Sequence, residues 1–216
     1  MSRPPLPQGL YAITDPELLP EPLLATGVTQ AIAGGARVVQ FRDKTTETGI
    51  RRRRARKVLA ACRAGGALCI VNDDAVLAAE IGADGVHLGR DDADPRRARQ
   101  IVGPDRLIGV SCYDCLDLAT AAVEAGVDYV AFGSVWPSVS KPGAVRASLA
   151  LLGEATAALP VPVVAIGGIT RANAAATIAA GAHCVAVIHD LFGDPDPLHA
   201  AQVLSAACEQ GRAALK

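Results

Sequence analysis

Eight short apolar or β-branched runs recur along this chain, each followed by an alanine-rich stretch of helical period, and no other feature narrows the fold so far. The runs are GLYAITD (9–15), VVQFRDK (38–44), LCIVND (68–73), GVHLG (85–89), LIGVSC (107–112), YVAFGSV (129–135), VPVVAIGG (161–168) and CVAVIHD (184–190). Several intervening stretches close on glycine, as helix C-termini do. Continuous apolar runs are what parallel strands covered on both faces require. Eight strand–helix pairs have about 27 residues each, enough for a strand, a helix and two short loops. Strict βα alternation with eight repeats predicts an α/β fold of the (β/α)8 type, a TIM barrel near the compact end of its size range. A doubly wound sheet is the competing arrangement. About five to seven strands would suit it better, and no G-x-G-x-x-G follows the first run. No linker or low-complexity stretch divides the chain, so residues 1–216 are expected to form a single barrel domain, with residues 1–8 a flexible N-terminal tail.

A formal net charge of −1 gives no electrostatic reason to expect nucleic acid or an anionic membrane. The one local excess, RRRRARK (51–57), reads as the solvated stripe of a helix whose other face carries Ile50, Val58 and Ala61. No aromatic residue lies among those arginines to stack a base. The segment MSRPPLPQGL has prolines where a signal peptide needs an apolar core, and no apolar run reaches the ~18 residues that span a bilayer. The cytoplasm is therefore the expected compartment, where the six cysteines stay reduced. Cys112 and Cys115 form one C-x-x-C, which without a second pair is poor evidence for zinc or redox chemistry. Both read as small fillers near a helix start.

In a (β/α)8 barrel the chemistry sits at the C-terminal ends of the strands. In VVQFRDKT (38–45), Gln40, Arg42 and Lys44 alternate with Val39, Phe41 and Asp43, so a two-residue period sends them to one face. On an isolated edge strand that face would simply be solvated; in a barrel it points into the mouth. Tyr11, Thr14, Asn72, Asp73, Asp92, Ser111, the loop WPSVSKPGAVR (136–146) and AIGGIT (165–170) occupy other strand ends. Arg42, Lys44 and Lys141 form a cationic cluster suited to a polyphosphate. Asp73 and Asp92, carboxylates without histidine or thiolate partners, suit a hard ion such as Mg2+. The competing reading of each is a helix N-cap, a role that Asp74 fits better.

Gly167 and Gly168, with a helix starting near Thr170, offer a second anion site beside VIHD (187–190). The alternative there is a tight turn that needs glycine for packing. His87, inside the apolar GVHLG, reads as a hydrogen-bonded core residue, and His189 has the reach to meet a phosphate after the last strand. No Ser–His–Asp order, nucleophile elbow or strand-interior lysine points to covalent catalysis.

QFRDK, VNDD, DGVHLGRDD, GVS, PSVSK and AIGGIT, in that order, resemble the thiamine-phosphate synthase family from about Leu10 to Phe192. The resemblance implies a Mg2+-dependent transferase that moves an aminopyrimidinylmethyl group from its diphosphate to a thiazole phosphate by a dissociative, carbocation-like step, giving thiamine phosphate and pyrophosphate. It implies that Gln40 binds the aminopyrimidine with Tyr11 nearby. Arg42, Lys44, Asn72, Ser111 and Lys141 would hold the diphosphate, with Arg42, Lys44, Ser111 and Lys141 catalytic. Asp73 and Asp92 would ligate the metal. Ser138 and Ser140 would meet the thiazole phosphate, with backbone at Gly168, Val187, Ile188 and His189. The chain departs from the family at Ser138 and Ser140, where threonine is commoner, at Arg90-Asp91, where Gln-Glu is common, and at His189, where serine is common.

The amino group on such a pyrimidine stabilises a positive exocyclic methylene, which accounts for the lack of a nucleophile. A thiazole tautomerase-like paralogue and a non-catalytic thiamine-phosphate-binding barrel are the alternatives. The former would not be expected to keep the diphosphate and metal residues, and the latter would show damage to them. A sugar-phosphate epimerase would need an acid–base pair across the barrel. The implied partners are small-molecule substrates, with no nucleic acid and no membrane; a homo-oligomer is left open.

Overall fold

A computed structural model describes residues 3–45, 47–90, 92–137 and 145–215. Its eight strands are parallel and close into a barrel in sequence order. They are β1 (Gly9–Ile13), β2 (Val38–Phe41), β3 (Leu68–Asn72), β4 (Gly85–Leu88), β5 (Leu107–Tyr113), β6 (Tyr129–Phe132), β7 (Val163–Ile166) and β8 (Cys184–Val187). The return helices are α1 (Glu21–Ala33), α2 (Thr48–Gly65), α3 (Ala75–Ile81), α4 (Pro95–Val102), α5 (Leu116–Glu124), α6 (Leu149–Ala158) and α7 (Ala174–Ala179). A single turn, α8 (His189–Phe192), and the long α9 (Pro197–Ala213) follow β8.

The period of two sorts each strand into an outer and an inner set. On β2, Val39 and Phe41 join the buried layer between sheet and helices. Val38 faces inward with Tyr11, Ile13, Ile70, Leu107, Tyr129, Ala131, Val164, Cys184 and Ala186. A barrel this small is filled by such side chains rather than left as a pore. Gly109 on β5 makes room for the largest of them, because a Cβ there would run into the Tyr129 ring.

Residues 3–8, expected to be a flexible tail, lie along the barrel floor. Leu6 is buried among the inner side chains. Its carbonyl accepts from His183 Nε2 at 2.9 Å, and Cys184 Sγ donates to the Pro7 carbonyl at 2.9 Å. Among the described residues no helix is long and apolar enough to cross a membrane.

The arginine run lies on α2 and is largely paired within the fold. Arg51 pairs with Asp74 (2.5 Å), Arg52 with Glu80 (2.7 Å), Arg53 and Lys57 with Glu21 (3.0 and 2.9 Å), and Arg54 with Asp43 (2.8 Å). Each exposed pair adds little stability, but together the four carboxylates offset most of the positive charge of the run. The buried stripe of α2 is Ala55, Val58, Leu59 and Cys62; Ile50 and Ala61 are only half-buried.

Candidate active site

Arg42 and Lys44 lie just past the end of β2, in the loop rather than in the strand. Thr14, at the end of β1, clamps Arg42 on both sides of its backbone. Its Oγ1 accepts from the Arg42 N–H (2.9 Å) and donates to the Arg42 carbonyl (3.3 Å). The guanidinium meets Asp15 at 3.5 Å. Asp43 turns the opposite way, to Arg54 and the Thr45 N–H. The alternation seen in the sequence thus outlasts the strand itself.

Asn72 ends β3, and Asp73 follows it with φ +66, left-handed backbone that non-glycine residues seldom adopt. Its N–H bonds the His87 carbonyl (2.8 Å), and the next N–H, of Asp74, folds back to the Asn72 carbonyl (2.8 Å). This is a strained three-residue turn. The capping role falls to Asp74, whose side chain accepts from the Leu77 N–H at 2.8 Å. Asp94 caps α4, so neither Asp73 nor Asp92 is a helix cap. Asp92 instead accepts from the Gly89 N–H at 2.6 Å.

Asp73 is raised from 3.8 to about 6, first by burial, then by a hydrogen bond to the Asp92 carboxyl and by its charge; Lys44 and Arg42 pull the other way. One carboxyl therefore senses groups from three loops. An Asp73 carboxyl pushed up by burial and by the oxygens of Asp92 facing it is a fit for a small divalent cation, which would offset that crowding of negative charge. Among the described residues no group of three or more His, Cys, Asp or Glu side chains is placed to hold a metal ion by itself. The remaining coordination would then fall to water or substrate oxygens, as suits Mg2+.

Beneath this patch, polar groups cross the barrel interior in one file. Gln40 Nε2 donates to the Tyr11 hydroxyl (2.9 Å), which lies 3.0 Å from the Tyr129 hydroxyl. Tyr129 lies 3.1 Å from His87 Nδ1, and His87 Nε2 lies 2.9 Å from Ser111 Oγ. The His87 ring stacks on Tyr129 with centroids 5.6 Å apart. Burial lowers His87 to about 4 and raises both phenols, so all three rings are neutral. His87 is the hydrogen-bonded core residue the sequence suggested. Tyr129 escaped the sequence reading, because YVAF looks like any buried strand; its one signal is a hydroxyl at an inward position.

The second anion site differs from expectation at its helix. α7 starts at Ala174, not near Thr170. The Thr170 N–H is held by Asn173 Oδ1 (2.8 Å) and the Arg171 N–H by Asp190 Oδ2 (2.7 Å), so side chains already occupy both. Gly168 has φ +64, and a Cβ there would strike the Trp136 and Pro137 carbonyls; packing alone requires glycine. Val187 is buried with its side chain in the outer layer, which leaves its backbone to the mouth. Ile188 leads into α8. His189 is exposed, its ring lying against Gly193.

Ser138, Ser140 and Lys141 fall outside the described residues. Cys112 is buried on β5 with its thiol pushed up to about 12, and Cys115 stands at the start of α5. The buried Cys112 thiol thus lacks the low-pKa environment of a reactive cysteine.

The family model described as thiamine monophosphate synthase matches residues 10–191. The chain is 53% identical over 199 residues to the thiamine-phosphate synthase of Thiobacillus denitrificans, covering 92% of this chain and 94% of that one. It is 52% identical over 202 residues to that of Chromobacterium violaceum, covering 94% and 97%. Among solved structures, the thiamine phosphate pyrophosphorylase of Pyrococcus furiosus is similar with a TM-score of 0.86 at 34% identity, covering 94% and 96%. A 3-hexulose-6-phosphate synthase shares the barrel at a TM-score of 0.65 and 21% identity, covering 92% and 99%. Fold alone therefore does not separate these chemistries.

Proposed function

The chain belongs to the thiamine monophosphate synthase family, and from that premise we propose how its residues divide the work. The chain is a transferase of thiamine biosynthesis that acts on small molecules and makes thiamine phosphate. In our reading it transfers an aminopyrimidinylmethyl group from its diphosphate to a thiazole phosphate and releases pyrophosphate. The observation that carries this reading is the convergence of Asp73, Asp92, Arg42 and Lys44 on one patch of the barrel mouth, registered in the Asp73 carboxyl.

Gln40 would orient the aminopyrimidine, with Tyr11 behind it. Arg42, Lys44, Asn72, Ser111 and Lys141 would bind diphosphate oxygens as charge builds on them, and fixed donors of this kind stabilise a transition state more than a ground state. Asp73 and Asp92 would hold Mg2+. When bound, that ion supplies Lewis-acid neutralisation of the departing pyrophosphate. The bond to the exocyclic methylene would break before the thiazole nitrogen attacks, so no residue need act as nucleophile or strong base. Ser138, Ser140 and backbone at Gly168, Val187, Ile188 and His189 would receive the thiazole phosphate. A single barrel domain in the cytoplasm is part of the same reading.

A tautomerase would need a proton carrier in the mouth. His87 is buried and neutral, so exposed His189 is the residue such an enzyme would have to use; Gln40, Lys44, Asp73 and Asp92 favour the synthase. The test is to mix both phosphorylated substrates with purified protein and follow pyrophosphate. Release that requires Mg2+ and both substrates is expected. No release with both present would refute the reaction, and full release after thorough chelation would refute the metal.

A further inference from the structure

Counting protons along the interior file fixes its direction. An amide NH2 only donates, so the Tyr11 hydroxyl accepts from Gln40 Nε2. A phenol carries one proton, and Tyr11 must give it to Tyr129, 3.0 Å away. Tyr129, having accepted there, gives its own proton to His87 Nδ1. The imidazole is buried and, among the described residues, hydrogen-bonded only to two hydroxyls, so charging it would be costly and it stays neutral. A neutral ring that accepts at Nδ1 carries its hydrogen on Nε2, and that hydrogen goes to Ser111 Oγ, 2.9 Å away. Ser111 is thereby made an acceptor on its inner side, and its hydroxyl proton is left for the barrel mouth.

We propose that Tyr129 and His87 are positioning residues that set the polarity of the mouth, holding Ser111 as a donor toward an anion and Gln40 as an acceptor, through Oε1, toward an amino group. The identity of those two groups, a diphosphate oxygen and an aminopyrimidine, rests on the function proposed above. Both ends of the file face the same way because one unbroken run of hydrogen bonds links them across five strands. With the Gln40 amide reversed, every bond would run backward: His87 would carry its proton on Nδ1, and Ser111 would donate inward instead of to the ligand.

Histidine-selective 15N NMR of the free protein reads this directly, with His87→Gln identifying the resonance among the chain's 4 histidines. The Nε2–H tautomer is expected; the Nδ1–H tautomer would overturn the relay. Tyr129→Phe keeps the stacked ring and removes only the linking hydroxyl. It should lower kcat by about tenfold, the scale of one lost hydrogen bond. In a Ser111→Ala background the same change should cost clearly less, because the Ser111 arm of the file is already gone and only the Gln40 arm remains to be disturbed. Equal losses in both backgrounds would overturn the proposal, as would an unchanged kcat in Tyr129→Phe alone. The tautomer is read without substrate, so a wild type that released no pyrophosphate would count against the reaction and leave the polarity test standing.

Discussion

Asp73 carries the most information of any single residue in this chain. Its carboxyl is raised from 3.8 to about 6 by burial and by the facing Asp92. A carboxyl raised by folding binds its proton more tightly in the fold than in the unfolded chain. That contribution is complete below about pH 4 and is lost as pH climbs through about 6. Metal-free protein should therefore lose stability over that window. Asp73→Asn should flatten the loss, since asparagine tolerates the left-handed backbone there. Thermal melts should show the variant above the wild type near neutral pH without metal, and unresponsive to Mg2+. Equal stabilisation of both proteins by Mg2+ would contradict the metal assignment. At the cationic side, Arg42→Ala or Lys44→Ala should lower kcat by ~10² if the contact forms mainly in the transition state; steady-state turnover checks this. Asp73, Asp92 and Arg42 were legible in sequence because charge at the end of an apolar strand is conspicuous. Tyr129 was not, because a tyrosine in a buried strand looks the same whether its hydroxyl is idle or joins two halves of a site.

At the level of the element, strand identity came through well and element ends less so. Each of the eight apolar runs coincides with a strand of the barrel, β5 alone reaching one residue further, to Tyr113, since burial on both faces forces continuous apolarity. The end of β2 fell earlier than the polar alternation suggested, and α7 started later than its glycines did. Hydrogen bonds accepted by the side chains of Thr14, Asn173 and Asp190 fix those junctions; Thr14 and Asp190 are too far along the chain from their partners to leave a local pattern. Gly109 shows what an element can hide. Its strand reads as continuous, yet the position is glycine because the Tyr129 ring fills the space of a Cβ. Gly109→Ala should destabilise the fold by about 1–3 kcal/mol through overpacking, measurable by urea denaturation. Unchanged stability would mean that the ring has room to move, which would also weaken the interior file.

Closure of the barrel is what turns separate strand ends into one site. β1 through β5 contribute Thr14, Arg42, Lys44, Asp73, Asp92 and Ser111, residues far apart in sequence that a closed parallel sheet presents at one mouth. The arginine-rich α2 lies outside this arrangement, its cations tied to Glu21, Asp43, Asp74 and Glu80. We propose that carboxylates and cations at the mouth jointly grip a diphosphate through a divalent ion. Calorimetric titration of pyrophosphate into the protein, with and without Mg2+, tests it most directly. Binding should strengthen markedly with Mg2+ in the wild type and lose that dependence in both Asp73→Asn and Asp92→Asn. Pyrophosphate affinity indifferent to Mg2+, or a Mg2+ effect that survives in both variants, would contradict the account.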